Sequence, residues 1–532
     1  MLYPDIYEVR TLAKEYNIIP VSMEFYNDMY TPISIFKRIE DNNFCFLLES
    51  AEGGEKWARY SFIGRNPFLT IKSYGKETIL QYKNEVCEKH QGNPIQILKC
   101  IMDKYKGANL TDLPRFNGGA VGYFGYDLIR HYENLPNTPI DDLRLPDSHF
   151  TFVDEVIAFD HLNQKIYIIV NLHINKNDKN ESIDQEYIKA EQRIQEIWKE
   201  ITSLKCESDC NSTHYSSTDY TTCYSQTDYT TYYNPADYYS STKLKSVSNE
   251  NEVNYSTIMS KEEFCSKVGI AKEYIRNGDI FQVVLSNRLC IETKISPFNI
   301  YRALRSINPS PYMFYLKFDD YFIVGASPEM LVRVEGKKVE TCPIAGTRKR
   351  GLNTDEDEIL EKELLSDEKE IAEHTMLVDL ARNDIGRVSK FGTVKVKNPI
   401  RVEKYSHVMH IVTNIEGELL EDKTPFDALM SVMPAGTLSG APKIRAMEII
   451  DELETVKRGP YGGAIGYLSF NGNLDSCITI RTIIFKDERA YIQAGAGIVI
   501  DSISENEYEE TINKATALIS AIKKAGGTLW LW

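Results

Sequence analysis

The chain has 532 residues, 42% of them hydrophobic and 26% charged, with 61 Lys and Arg against 77 Asp and Glu for a net charge of −16. That size and composition belong to a globular protein with two ordinary domains or one large composite unit. The acidic balance argues against a broad footprint for nucleic acid or an anionic membrane, though a few buried basic groups can still receive an anionic substrate. No apolar run approaches the roughly 18 residues of a membrane helix.

The first residues, MLYPDIYEVRTLAKEY, carry acidic groups and no apolar core, so no secretion signal is read and the cytoplasm is the expected compartment. The ten cysteines are scattered without a CxxC pair, the closest being Cys206 and Cys210; reduced thiols are expected rather than a zinc site. Residues 1–204 alternate short β-like runs (44–48, 166–170) with helical ones such as 184–200. From 205 to 256 Ser, Thr, Tyr, Asn and Asp dominate, and Thr218-Asp-Tyr-Thr-Thr222 recurs as Thr227-Asp-Tyr-Thr-Thr231. With almost no aliphatic surface to offset its ordering entropy, this stretch reads as a linker or insertion. Downstream, Ser260 with Glu263 has capping-box spacing before a helical run to about Gly278, and 280–286 reads as a buried strand. Ser296-Pro297 opens another helix with proline first, and Asn308-Pro-Ser-Pro311 is a turn before an extended aromatic run, 312–318. Helices are expected over 442–454 and from near Ser504. The class is α+β, with large mixed or antiparallel sheets and helices packed on them. Gly118-Gly-Ala-Val-Gly-Tyr-Phe-Gly-Tyr126 is echoed by Gly462-Gly-Ala-Ile-Gly-Tyr-Leu-Ser-Phe470, which suggests related halves.

Two ExxE pairs, Glu370 with Glu373 and Glu507 with Glu510, stand at the starts of predicted helices, and i,i+3 spacing puts both carboxylates of a pair on one face. Two such faces meeting would supply hard oxygen ligands for Mg²⁺. Asp367 to Glu370 and Ser504 to Glu507 also have capping-box spacing, so Glu370 and Glu507 could serve as caps, leaving Glu373 and Glu510 the better ligand candidates. Lys514 lies four residues after Glu510, the spacing of an ordinary surface ion pair. Gln493-Ala-Gly-Ala-Gly497 can bring backbone N–H groups to a carboxylate or simply mark a bend. Pro343-Ile-Ala-Gly-Thr-Arg348 and Pro434-Ala-Gly-Thr-Leu-Ser-Gly-Ala-Pro-Lys443 read as small-residue turns, with Thr437 and Ser439 as caps or substrate contacts. His407 and His410, three apart on a predicted strand, point to opposite faces; one is a candidate general base. The residues alone reach a Mg²⁺-dependent enzyme acting on a small anionic substrate.

The set Pro343-Ile-Ala-Gly-Thr, Asp379-Leu-Ala-Arg-Asn-Asp384, Ser406-His-Val-Met-His410, Gly-Thr-Leu-Ser-Gly-Ala-Pro-Lys443 and Gln493-Ala-Gly-Ala-Gly497, in that order over roughly 257–525, resembles the chorismate-utilising enzyme family. Leu47-Leu-Glu-Ser50 and Gly118-Gly-Ala-Val-Gly-Tyr123 extend the likeness across the N-terminal half. The resemblance implies two interleaved α/β domains: an N-terminal domain (1–204) contributing to a regulatory site, a linker (205–256), a chorismate-binding catalytic domain (257–525) and a short tail (526–532). It implies Mg²⁺ on Glu373 and Glu510 with Glu370 and Glu507 in support. Substrate contacts would fall to Gly346, Thr347, Tyr461, Arg481, Lys514 and the backbone of Gly495, Ala496 and Gly497. His410 and Thr437 match positions linked to pyruvate elimination, and Glu329 matches the general acid for the departing hydroxyl.

Within the family, aminodeoxychorismate-forming members typically carry a nucleophilic lysine where Ala345 stands here, and isochorismate-forming members a water-activating lysine where Gln282 stands. Both differences imply ammonia as nucleophile and anthranilate as product. Ser50, Pro311, Tyr312 and Met313 are similar to a tryptophan feedback site. No Gly-x-Cys-x-Gly nucleophile turn with a downstream His-x-Glu is read, so a separate glutamine amidotransferase subunit is expected, in a heterotetramer of two large and two small subunits. An aminodeoxychorismate-forming enzyme and a non-catalytic tryptophan sensor are the alternatives.

Overall fold

A computed structural model describes residues 2–40, 43–51, 59–83, 86–175, 178–203, 254–405 and 408–527, and the statements that follow concern these. His407 and most of the Ser/Thr/Tyr-rich stretch, with Cys206 and Cys210, lie outside them. Two antiparallel sheets form the molecule, and each is built from strands on both sides of that stretch. In the first, Cys45–Glu49 pairs with Tyr312–Lys317, Met313 lying opposite Glu49. The order then continues through Tyr321–Ser327, Thr482–Lys486 and Arg489–Ile498 to Gln282–Glu292. In the second, Gly119–Phe124 pairs with Ala464–Ser469, while Val408–Glu418 and Ile344–Lys349 form the far end. Rings from both sheets, among them Phe46, Phe62, Phe314 and Tyr467, interleave with Phe116 in one buried cluster. This is the α+β class with antiparallel sheets flanked by helices. Among the described residues no helix is long and apolar enough to cross a membrane.

The glycine echo read in the sequence is a pair of neighbours: Gly122 lies directly opposite Gly466. A Cβ on Gly122 would stand 1.9 Å from the His149 carbonyl oxygen, and one on Gly466 2.1 Å from that of Asp475. Backbone cannot yield as a side-chain tip can, so Gly122→Ala is expected to cost at least about 1–3 kcal/mol. Calorimetry would show this as a lowered Tm; a variant melting with its parent would refute the close approach.

The helices that carry chemistry are set by local signals. Asp367 caps Glu368–Gly386 by accepting the N–H groups of Lys369 and Glu370. Ser260 accepts the Glu263 N–H at the start of Lys261–Arg276, and Pro297 opens Pro297–Ile307. Ser504–Gly527 packs on these last two helices and on the strand Arg489–Ile498. Three local expectations change. The strand expected at 280–286 starts at Gln282 and runs to Glu292, leaving Phe281 75% exposed. Pro343 to Arg348 is not a free turn but enters the strand Ile344–Lys349, broken by a bulge where Gly346 takes φ +60°. Neither Thr437 nor Ser439 is an N-cap: the following helix, Lys443–Leu453, begins after Pro442, and the buried Ser439 hydroxyl donates to the Ala435 carbonyl.

Candidate active site

A cavity of about 700 Å³ opens where the strand Arg489–Ile498, the bulged strand Ile344–Lys349 and the helices Glu368–Gly386 and Ser504–Gly527 meet. Its size is that of a small-molecule site. On one wall Glu329, 8% exposed, accepts a 3.4 Å hydrogen bond from the Thr437 hydroxyl. Burial is the main influence on its carboxyl and pushes it up to about 8, against smaller opposing effects from Thr437, the Ile344 N–H and Lys514. Glu329 is therefore a buried proton donor at neutral pH.

His410, on the strand Val408–Glu418, places Nδ1 2.9 Å from the Gly346 carbonyl oxygen and 3.1 Å from the Thr347 hydroxyl. A carbonyl only accepts, so the hydrogen is assigned to Nδ1 and the lone pair to Nε2. Burial lowers the ring's pKa, keeping it neutral. The Gly346 bulge brings this carbonyl and Thr347 to the histidine.

Arg481 sits at φ +49°, a conformation a non-glycine residue holds only when its surroundings enforce it. Its Nη1 donates to the Lys514 carbonyl at 3.1 Å. Lys514 Nζ bridges the Gly495 carbonyl oxygen at 2.9 Å and Glu510 Oε1 at 2.6 Å. The ordinary i,i+4 pair expected from sequence exists, and it forms part of the cavity wall. Tyr461 stands beneath, under the Arg458 guanidinium at 5.7 Å, and Arg458 is itself locked to Glu454 at 2.6 Å. The strand residues facing them must be small. A Cβ on Gly495 would come within 2.9 Å of the Tyr461 hydroxyl, and one on Gly497 within 2.6 Å of Gln282 Nε2. Ala496 alternates to the other face, in an apolar cluster with Val283, Leu285 and Ile498, so its side chain does not line the cavity.

All four ExxE carboxylates line the same space. The capping alternative does not hold for Glu370: Asp367 supplies the cap, and the Glu370 carboxylate turns to Arg348 Nη1 at 3.3 Å. Glu373 is raised by burial first and then by Glu370 and Glu510, with the Gln282 side chain opposing. Glu507 is raised by burial and by Glu510, with Ser502 opposing. Four carboxylates converging on one space, two of them raised by burial and by one another, are the hard oxygen donors a divalent cation takes, although Lys349, Lys369, Arg481 and Lys514 line the same cavity. Among the described residues no three acidic, His or Cys groups are gathered tightly enough to hold one. The donor chemistry fits, with each carboxylate resting on a partner from the chain. Sequence reasoning passed over Lys369 and Asn513, which also line the cavity; their signal was spacing, one turn before Glu373 and three residues after Glu510.

Ser50, Pro311, Tyr312 and Met313 meet in a second cavity of about 60 Å³, at the seam between Cys45–Glu49 and Tyr312–Lys317. The Tyr312 hydroxyl donates to Asp475 Oδ1 at 2.9 Å, Arg333 Nε donates to Asp475 Oδ2 at 3.0 Å, and Arg115 completes the polar floor. The Ser50 hydroxyl is buried with no hydrogen-bond partner.

A family model described as chorismate binding enzyme matches residues 43–520. The chain is 65% identical to anthranilate synthase component 1 of Acetivibrio thermocellus over 99% of both chains, and 45% identical to that of Aquifex aeolicus over 97% of both. The crystal structure of anthranilate synthase component I from Streptococcus pneumoniae TIGR4 covers 93% of this chain and 98% of its own at 37% identity, with a TM-score of 0.71. MenF, the menaquinone-specific isochorismate synthase of Escherichia coli, shares the fold at 17% identity, with a TM-score of 0.65 over 97% of this chain and 98% of its own. Sequence, fold and cavity agree: the chain belongs to the chorismate-binding enzyme family, alongside relatives that are each an anthranilate synthase component 1.

Proposed function

We infer that this chain is the chorismate-converting subunit of an anthranilate synthase. Chorismate and ammonia give anthranilate, pyruvate and water: a C–N bond forms at C2, the 4-hydroxyl leaves as water, and the enolpyruvyl group leaves C3. The observation that carries the reading is a buried, protonated Glu329 and a neutral His410 on a cavity whose other walls present Arg481, Lys514 and four carboxylates. Arg481 and Lys514 bind the carboxylates of the substrate, the guanidinium offering a planar fork. Glu329, aligned by Thr437, gives its proton to the departing hydroxyl. His410 takes the C2 proton at Nε2 as the C3–O bond breaks, and the released enolpyruvate becomes pyruvate. Mg²⁺, for which Glu373 and Glu510 are the proposed ligands with Glu370 and Glu507 in support, supplies Lewis acidity and a fixed seat for the ring carboxylate when bound.

Ala345 and Gln282 both line the cavity, where aminodeoxychorismate- and isochorismate-forming members of the family typically carry a lysine, and that difference supports ammonia as the nucleophile. A glutamine amidotransferase subunit delivering ammonia, two copies of each chain and a cytoplasmic setting complete the reading. Tryptophan is the proposed occupant of the Ser50 cavity. At about 60 Å³ that space is well below the 300–1,000 Å³ usual for ligand sites, so room for an indole comes from the walls parting or from the opening of about 400 Å³ that Glu49 and Ser50 also line. One wall, Cys45–Glu49 with Tyr312–Lys317, belongs to the sheet that continues to Gly495 and Gly497, so an arrangement that favours tryptophan can disfavour the substrate.

The test is anthranilate fluorescence and coupled pyruvate detection with the purified chain, chorismate, Mg²⁺ and an ammonium salt in mildly alkaline buffer. Both products should appear together and be suppressed by tryptophan; chorismate consumed without anthranilate would overturn the assignment. Ser50→Ala removes one anchor worth about 0.5–1.5 kcal/mol. It is expected to raise the tryptophan concentration for half-inhibition by up to about tenfold, and an unmoved inhibition curve would put the inhibitor elsewhere.

A further inference from the structure

Arg348 takes no part in the cavity lining, yet its guanidinium is spread over three carboxylates: Glu363 at 3.2 Å, Asp367 at 2.8 Å and Glu370 at 3.3 Å. Asp367 is the N-cap of the helix that carries Glu370 and Glu373, and Glu363 belongs to the preceding helix, Thr354–Ser366. One side chain therefore fixes the corner between two helices and the carboxylate that follows it. On Glu370 the two oxygens are differently employed. Oε1 faces Arg348 Nη1, while Oε2 lies over Gly346, 3.2 Å from where a Cβ would stand. Gly346 is itself part of the cavity wall and takes φ +60° at the strand bulge. The bulge and the missing side chain together leave room for that second oxygen at the edge of the cavity.

Resting on the Mg²⁺ reading above, we propose that Arg348 is a positioning residue for the divalent-cation site. It ties down one oxygen of Glu370 from behind and pins the start of its helix, presenting the other oxygen to the cavity. Outer partners of ligating carboxylates act in this way, and losing one typically weakens metal affinity by 10–100-fold. The planar fork matters, because three carboxylates at fixed angles cannot be matched by the point charge of a lysine.

Isothermal titration of Mg²⁺ into the full chain without chorismate tests this in five proteins: the parent, Arg348→Gln, Arg348→Lys, Glu370→Gln and the Arg348→Gln/Glu370→Gln double variant. Arg348→Gln should raise the Mg²⁺ Kd by about 10–100-fold. Saturating Mg²⁺ should then restore most of kcat, which a merely misfolded site would not allow. If Arg348 acts through Glu370, the double variant should bind no more weakly than Glu370→Gln alone. Arg348→Lys should fall between parent and Arg348→Gln, and a Kd for Arg348→Gln within twofold of the parent would overturn the proposal. Additive losses in the double variant, or a kcat that saturating Mg²⁺ does not restore, would overturn it equally. If the parent chain itself took up no Mg²⁺, the metal reading would fall and the proposal with it, an outcome distinct from a parent that binds and a variant that binds equally well.

Discussion

Glu329→Gln is expected to lower kcat/KM for chorismate by about 10²–10⁴-fold, the range lost with a general acid. The amide has the same shape and can still accept from the Thr437 hydroxyl, so the cavity wall should stand; what it lacks is a proton to give. The pH dependence follows from the same burial. With its carboxyl pushed up to about 8, Glu329 is protonated at neutral pH and loses its proton as pH rises through that value. Turnover measured at constant free ammonia should therefore decline on the alkaline side near pH 8 in the parent, and the residual activity of the variant should lack that limb. Stability carries the matching sign. The folded chain holds this proton above the pH at which the unfolded chain gives it up, so the group's contribution weakens as pH rises from the ordinary glutamate range to about 8. Glu329→Gln should flatten that part of the stability profile. A variant within tenfold of the parent, or an alkaline limb that persists in it, would remove Glu329 from the role.

What the sequence disclosed and what it withheld divide along range. Helix starts were legible because capping is local: Asp367, Ser260 and Pro297 each act within a turn of their own position. The ExxE pairs were legible because 3.6-residue periodicity places i and i+3 together whatever surrounds them. Gly346 misled for the same reason. Small residues beside a proline carry a turn signal, and nothing nearby announces that Ile344–Lys349 is completed by a strand some 60 residues on. Gly122 opposite Gly466 and Glu49 opposite Met313 are pairings no local window contains. The polar floor of the smaller cavity is the clearest case. Arg333 and Asp475 meet the Tyr312 hydroxyl and Arg115 meets Asp475, from three separate strands or loops, and none has a sequence signature beyond its own charge. Ser50 and the Pro311 turn were joined in advance only through the family resemblance, and the pairing of their strands supplies the physical reason. Net charge was a guide to the surface alone: a chain at −16 still places Lys349, Lys369, Arg481 and Lys514 in its cavity, facing the four ExxE carboxylates.

Those carboxylates support the second large effect. Glu373→Gln is expected to reduce Mg²⁺-dependent turnover by at least about 100-fold, more than the loss of an outer partner brings. The argument rests on where the charge lies. Glu373 is half-screened from water and its carboxyl is raised by burial and by Glu370 and Glu510, against the Lys369 charge and a hydrogen bond from the uncharged side chain of Gln282. Such a group is poorly satisfied by the chain alone and has most to gain from a divalent cation. Glu510 is a less clean probe, because its carboxylate also neutralises Lys514 at 2.6 Å, and its loss would leave that ammonium on the Gly495 carbonyl alone. Because Glu373 makes no close ion pair among the described residues, its removal costs only the longer-range attraction of Lys369. It should ease the repulsion felt by Glu370 and Glu510, so the metal-free protein should hold or gain thermal stability while its Mg²⁺-induced rise in Tm disappears. Chelation of the parent should give the same catalytic loss and be reversed by added Mg²⁺; chelation of Glu373→Gln should change little. If calorimetry showed the variant binding Mg²⁺ as tightly as the parent, the carboxylates would be serving the fold or the substrate, and the cation would have to be sought on other oxygens of the cavity.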